Sequence, residues 1–301
     1  MTKLQIRELH PAFGVEIAGL EPRIPLDDRT VQQLRSLFDD KGLLVIRGID
    51  ADQDFQVYLS HLLIGDESPS ADVASAKGPA QASAKQPVSQ REWFVSNKAE
   101  GGAAPFGRIL FHCDNMWSSD VFQLISLYGE EVEEPSTPTI FVSAVHAWKT
   151  LPDALRERVK DRFAVHGQDA TFRLAADEDG DVLVSTFERQ ETIRLPVGHT
   201  HPRTGRKLLY VAQQMTHRID DIPPGESDAL LDELYDHLYA PENVVEHKWH
   251  KGDLVLWDNI ALQHARPNVS VEGPARTLRK VFAPSPDASW FEPPKFSKVA
   301  D

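Results

Sequence analysis

The sequence predicts a mixed α and β protein whose core is a β-sandwich or jelly roll decorated with helices. Short apolar runs, ILF, VFQLISLYG and TIFVSA, are separated by turn-forming polar residues across 109–142, the pattern of antiparallel strands. The last third returns to strands over 208–211, 253–257 and 276–282. Helical spacing over 143–163 and 226–239 lies between these strand-rich stretches.

The N-terminal part supplies scaffold. Val15-Glu16-Ile17 and a turn at Gly19 precede a polar stretch over 27–40 that buries Val31, Leu34 and Leu37 at helical spacing and stops at Gly42. Leu43-Leu44-Val45-Ile46, held between Gly42 and Gly48, reads as a buried strand. Residues 66–107 are rich in Ala, Ser, Pro, Gly, Gln and Lys with little periodicity, which predicts a long loop. Such a loop is either a lid over a site or a mobile surface insertion. There is no internal repeat, and 301 residues fit one elaborated domain over 1–301.

Composition narrows the function. A formal charge of -14, from 46 acidic and 32 basic residues, opposes binding to nucleic acid or anionic lipid and favours a small-molecule partner. The start, MTKLQIRELHPAFG, lacks an apolar core of signal-peptide length, and no run approaches the roughly 18 apolar residues of a membrane span. A cytoplasmic protein is expected, and homo-oligomerisation is left open. The single cysteine, Cys113, excludes an internal disulfide and a thiolate zinc cluster, so any metal must use nitrogen and oxygen ligands.

His112-Cys113-Asp114 carries the chemistry. Two residues apart on a strand, His112 and Asp114 would leave the same face and converge on one ion. The third ligand is expected at His264, after the strand-like LVLWDN. Two imidazoles and a carboxylate make the facial triad of non-haem Fe(II) oxygenases, with three coordination positions left open: two for a 2-oxo acid and one for O2. An isolated HxD occurs easily by chance in a chain with 12 histidines, so its surroundings matter. Arg276, 12 residues past His264 and opening the run RTLRKVF, presents a planar fork that matches a carboxylate. A surface or fold-stabilising arginine is the structural alternative.

Several blocks occur together: GLLVIRG at 42–48, FHCDNMW at 111–117, PSTPTIFVSA at 135–144, THPRTGRKLLYV at 200–211 and WDNIALQHARPN at 257–268. In these the chain resembles the TauD/TfdA family of Fe(II)/2-oxoglutarate-dependent dioxygenases, from about Val15 to Phe282. The resemblance implies a double-stranded β-helix (jelly roll) core, with metal ligands at His112, Asp114 and His264. It also implies that Thr139 and Arg276 share the far carboxylate of 2-oxoglutarate. Where the family usually has Gly-Gly-Asp-Thr, this chain has Ser136-Thr137-Pro138-Thr139. The family's second basic residue, often in contact with an acidic substrate, falls at Lys280 beside Arg279.

Strand alternation would also put Arg108 on the face of His112, toward a substrate carboxylate or sulfonate or in a salt bridge at the mouth. Cys113 would point away as apolar filler, and His201 with the following GRK reads as a structural turn before a strand. Trp117 and Trp257 flank the ligand segments as pocket wall or as plain core. His199, His217, His247 and His250 form no defensible ligand set. The implied reaction uses 2-oxoglutarate and O2 with bound Fe(II), hydroxylates a small, anionic organic substrate, and releases succinate and CO2. If the hydroxylated carbon bears a heteroatom, the product can fragment. Two other classes are compatible with the ligand set: a zinc hydrolase, since two His and a carboxylate also suit catalytic zinc, and a non-catalytic jelly-roll binding protein. The zinc hydrolase explains neither Arg276 nor Thr139, and the binding protein is disfavoured by three intact ligands.

Overall fold

The computed structural model describes residues 4–66, 93–119, 121–168, 182–186, 191–284 and 295–298. The chain begins with β1 (Gln5–Glu8), β2 (Val15–Ala18), α1 (Asp28–Lys41), β3 (Leu43–Ile46) and α2 (Gln53–Ile64). Next come β4 (Trp93–Ser96), β5 (Gly107–His112), β6 (Leu124–Val132) and β7 (Thr139–Ser143). The middle holds α3 (Ala144–Thr150), α4 (Asp153–Val159), β8 (Phe163–Gly167), β9 (Leu183–Thr186), β10 (Thr192–Pro196), β11 (Gly198–Thr200), β12 (Lys207–Leu209), β13 (Thr216–Ile219) and α5 (Pro224–Leu238). The last strands are β14 (Val244–His247), β15 (Leu254–Asp258), β16 (Leu262–Val269), β17 (Arg276–Ala283) and β18 (Lys295–Lys298).

A seven-stranded sheet, in the order β1-β2-β3-β15-β6-β17-β4, faces a four-stranded sheet in the order β14-β7-β16-β5. Between them lies one apolar cluster that takes Leu43, Val45, Ile125, Leu127, Val255, Trp257 and Leu278 from the large sheet and Phe141, Val245 and Leu262 from the small one. The alternate residues Leu44, Ile46, Leu124, Tyr128, Leu254 and Leu256 point the other way, under α1 and α2. Both faces of the central strands are therefore covered, which is why LLVI has no polar partner in its alternation. The outer face of the small sheet is covered in turn by α3, α4 and α5, with Val142 packed among Leu230, Leu231 and Leu234.

Helix α1 forms where the sequence predicts it. Asp27 caps its first turn by accepting from Thr30 N, Leu34 and Phe38 are buried, and Gly42 closes it at φ 69°. Val31 and Leu37 pack at the cluster's margin. Helix α2 is absent from the sequence reading because its residues Phe55–Leu63 are all buried, leaving no polar stripe to reveal a helical period. Its caps, Asp52 and Gly65, are the one sequence signal that could have marked it. The long-loop expectation over 66–107 is corrected at its end: Trp93–Ser96 is a strand paired with β17. Residues 67–92 of that expected lid or insertion lie outside the described residues.

Gly42 joins α1 to β3, and its carbonyl accepts from Asp258 N at 2.8 Å, tying the helix end to the end of β15. A left-handed φ costs an L-residue about 1–2 kcal/mol. Gly42→Ala, whose Cβ meets only ordinary contacts with Leu262, is expected to destabilise the fold by that amount, read as a lowered urea midpoint with an unchanged slope. An unshifted midpoint would show that the turn tolerates a side chain without strain.

Candidate metal centre and active site

Strands β5 and β16 pair antiparallel with His112 directly opposite His264, and the two ring centroids are 4.2 Å apart. Ligand atoms of His112, Asp114 and His264 all lie within 4.8 Å of one another, the one such group among the described residues. The pairing of the imidazoles is a strand property. That of Asp114 is not, and here the strand expectation is corrected: β5 ends at His112, and Asp114 lies in the turn that follows. Asn115 takes φ 62°, a left-handed conformation that Asn tolerates better than most residues. The side chain of Asn259 accepts from Asp114 N at 2.9 Å and donates to Asp114 O at 2.8 Å, so the chain returns the carboxylate to the imidazoles without help from strand alternation.

The protonation states suit a cation. His112 Nδ1 lies 2.7 Å from Leu110 O, and a carbonyl can only accept, so Nδ1 carries the proton and Nε2 keeps its lone pair 3.3 Å from Asp114 Oδ1. Desolvation by burial holds His264 well below the usual histidine range and therefore neutral. Its Nδ1 is buried without a hydrogen-bond partner. For Asp114 desolvation acts upward, but the charge of Lys280 outweighs it, and the carboxyl sits well below its usual range. Two neutral imidazoles and a carboxylate, with a partnerless ring nitrogen, fit a divalent metal of the iron or zinc type.

The triad lines a cavity of about 190 Å³ between the two sheets. Arg276 on β17 is buried at its wall. Its Nε donates to Thr137 O at 3.0 Å and its Nη2 to Thr139 Oγ1 at 3.2 Å. Thr139 Oγ1 also accepts from Trp249 Nε1 at 3.0 Å, which leaves the hydroxyl proton to be given to an acceptor. No carboxylate among the described residues pairs with Arg276. Burial, then the like charge of Arg266, holds its guanidinium well below the usual range. Arg266, missed in the sequence, also lines the cavity and is pushed down to about 9 by burial. Its guanidinium holds the carbonyls of Ala104, Phe106 and Gly107. Lys280, also on the wall, pairs with Asp114. Among the described residues, three cations against one carboxylate favour anionic ligands there.

The remaining expected residues separate. Alternation along β17 turns Lys280 and Phe282 inward and Arg279 outward, where it bonds to Gln56 Oε1 on α2 at 2.8 Å, to Ala51 O at 2.7 Å and to Glu130. Arg108 does not line the cavity. Between the pairs His264↔His112 and Arg266↔Ile109, two residues of β5, Leu110 and Phe111, face one of β16, Ala265. That bulge changes the phase of the strand and brings Ile109, rather than Arg108, to the wall. Cys113 is buried, with its thiol pushed up by burial and its Sγ 3.6 Å from Leu262 O. His201 is buried with Nε2 3.0 Å from both oxygens of Asp258.

Residues 5–282 match the family model described as taurine catabolism dioxygenase TauD, TfdA family. The chain belongs to the TauD/TfdA dioxygenase family. Among relatives, it is 26% identical over 266 residues to the alpha-ketoglutarate-dependent 2,4-dichlorophenoxyacetate dioxygenase of Cupriavidus pinatubonensis, covering 85% of this chain and 89% of that one. It is 26% identical over 278 residues to the alkylsulfatase of Acinetobacter baylyi, covering 88% and 80%. A taurine dioxygenase from Burkholderia xenovorans shares the fold, with a TM-score of 0.70, 19% identity and coverage of 99% and 97%. Within the family frame, Arg279 is a fold residue of this chain. Arg279→Ala should destabilise it by about 1.5–3 kcal/mol, the range for hydrogen bonds to a charged group, and leave metal affinity unchanged. Weakened metal binding at unchanged stability would put Arg279 in the site.

Proposed function

We propose that this protein is an Fe(II)- and 2-oxoglutarate-dependent dioxygenase on a double-stranded β-helix core, hydroxylating a small anionic substrate with a largely apolar body. The observation that carries the reading is the joint placement of the His112, Asp114 and His264 ligand set and the buried Arg276–Thr139 pair on one cavity. Bound iron would couple reduction of O2 to decarboxylation of 2-oxoglutarate and to oxidation of a substrate C–H, giving an alcohol, succinate and CO2.

The residues divide that work. His112, Asp114 and His264 would hold the metal by one face and leave the cavity side open for the 2-oxo acid and O2. Arg276 would receive the distal carboxylate, and Thr139 would donate its remaining proton to the same group. That anion offsets the burial of an otherwise uncompensated guanidinium. Lys280 stands at the boundary between the metal and the apolar wall, where Phe282 lies under its ammonium at 4.8 Å. It suits a substrate carboxylate, sulfonate or sulfate. Trp93, Val95, Ile109, Phe122, Leu127 and Phe282 line the cavity and would enclose the substrate body, keeping water from the oxidation. The relatives named for 2,4-dichlorophenoxyacetate and alkyl sulfate would place a similar anion and apolar body in their sites. A zinc hydrolase would leave the Arg276–Thr139 pair without a task.

Two outcomes are expected. Arg276→Ala should weaken 2-oxoglutarate binding to the Mn(II)-loaded protein by about 2–5 kcal/mol, as for truncation of buried charge pairs, with Mn(II) affinity unchanged by calorimetry. Equal 2-oxoglutarate affinity in the variant would remove the clamp. In a panel of acids, sulfonates and sulfates scored by succinate release, Lys280→Ala should raise KM for the anionic substrate at least tenfold and spare a neutral isostere. An equal loss on both would assign Lys280 to the metal centre instead.

A further inference from the structure

We infer that Asn259 is a positioning residue that fixes the direction of the Asp114 carboxylate and so sets the affinity of the metal centre. The inference rests on the metal-centre reading above. Once β5 ends at His112, sheet hydrogen bonding no longer holds the backbone of Asp114. A carboxylate on a free turn could point into the cavity or out of it. The buried carboxamide of Asn259 takes the place of a neighbouring strand: Oδ1 accepts from the N–H of Asp114, and Nδ2 donates to the C=O of the same residue. Pinning both peptide groups that flank one Cα fixes the direction of its Cβ. Only a side chain with an acceptor and a donor side by side can do this. Nδ2 donates its second proton to Phe122 O at 3.0 Å, which closes the far end of the same loop.

The carboxamide is itself held. Asn259 N donates to Gln123 O at 3.0 Å, and the preceding Asp258 donates its N–H to Gly42 O. Asp258 Oδ1 accepts from Ile260 N and Ala261 N, both at 3.0 Å, which curls 258–261 into a tight turn. His201 and Arg203 cover the same carboxylate, and Arg203 also pairs with Asp39 of α1. The turn leads straight into β16, so one fixed element presents Asn259 to Asp114 and starts the strand that carries His264. This gives the blocks at 200–207 and 257–259 a shared role: they hold the element that aligns two ligands from distant parts of the chain.

The test uses Co(II) as the probe, titrated by its visible absorption into the wild type, Asn259→Ala, Asn259→Ser and Asp114→Ala, with melting temperature recorded for each apo-protein. Removing a partner that orients a ligand typically costs 10–100-fold in metal affinity. Asn259→Ala should fold, bind Co(II) 10–100-fold more weakly and change the Co(II) spectrum. Asn259→Ser should lie between it and the wild type. Combined with Asp114→Ala, the Asn259→Ala change should add no further loss, because the ligand it positions is gone. Wild-type affinity and spectrum in folded Asn259→Ala would overturn the inference. So would a full additional loss in the Asp114→Ala background, or unfolding of both Asn259 variants, either of which would assign the residue to the fold. Failure of the wild type itself to bind Co(II) would withdraw the metal centre and this role with it.

Discussion

The antiparallel pairing of β5 with β16 is the constraint on which the site depends. It sets His112 opposite His264 on the inner face of the small sheet, where two imidazoles meet at 4.2 Å. Strand pairing fixes which side chains meet, because a slip by one residue would send every side chain of β16 to the other face. Asp114 needs a different device because it lies past the end of β5, and the 258–261 turn supplies it. The large sheet closes the cavity from the other side with Arg276 and Lys280, two residues of β17 that alternation turns inward.

Charge gives this geometry its chemistry. Asp114 is held ionised by Lys280 against the cost of its burial, while desolvation keeps His264 neutral. Arg266 satisfies its guanidinium on three backbone carbonyls and stabilises the 104–107 loop, yet brings its charge to the cavity wall. Among the described residues Arg276 meets a carbonyl, a hydroxyl and the ring face of Trp249, and no carboxylate. Buried guanidiniums without a carboxylate are costly, and an anionic ligand relieves that cost at the place where chemistry is required. The apolar remainder of the wall strengthens each of these interactions by keeping the local dielectric low.

The sequence was most legible where period and chemistry coincide. Helix α1 announced itself by spacing and by Asp27 and Gly42 at its ends, and β3 by four apolar residues between glycines. The residues of the triad and Arg276 were legible through residue type and the order of the surrounding blocks. The departures have definite causes. Helix α2 is buried all round and has no stripe. Arg108 was placed by ideal alternation, which the bulge in β5 breaks. Arg279 and Lys280 are adjacent in sequence and opposite in space. Arg266 and Asn259 carried no signal beyond position, two residues after one ligand and within the WDN block, because their tasks consist of hydrogen bonds to backbone groups distant in sequence.

The central claim is that this cavity joins a redox-active metal to a 2-oxo acid. Its most direct test is succinate release from 2-oxoglutarate by the protein loaded in parallel with Fe(II) or Zn(II), under air and under argon, with candidate anionic substrates present. The account predicts succinate and CO2 in equal amounts with Fe(II) in air, and none with Zn(II) or under argon. Substrate turnover supported by Zn(II) without succinate, and no succinate with Fe(II) in air, would contradict it.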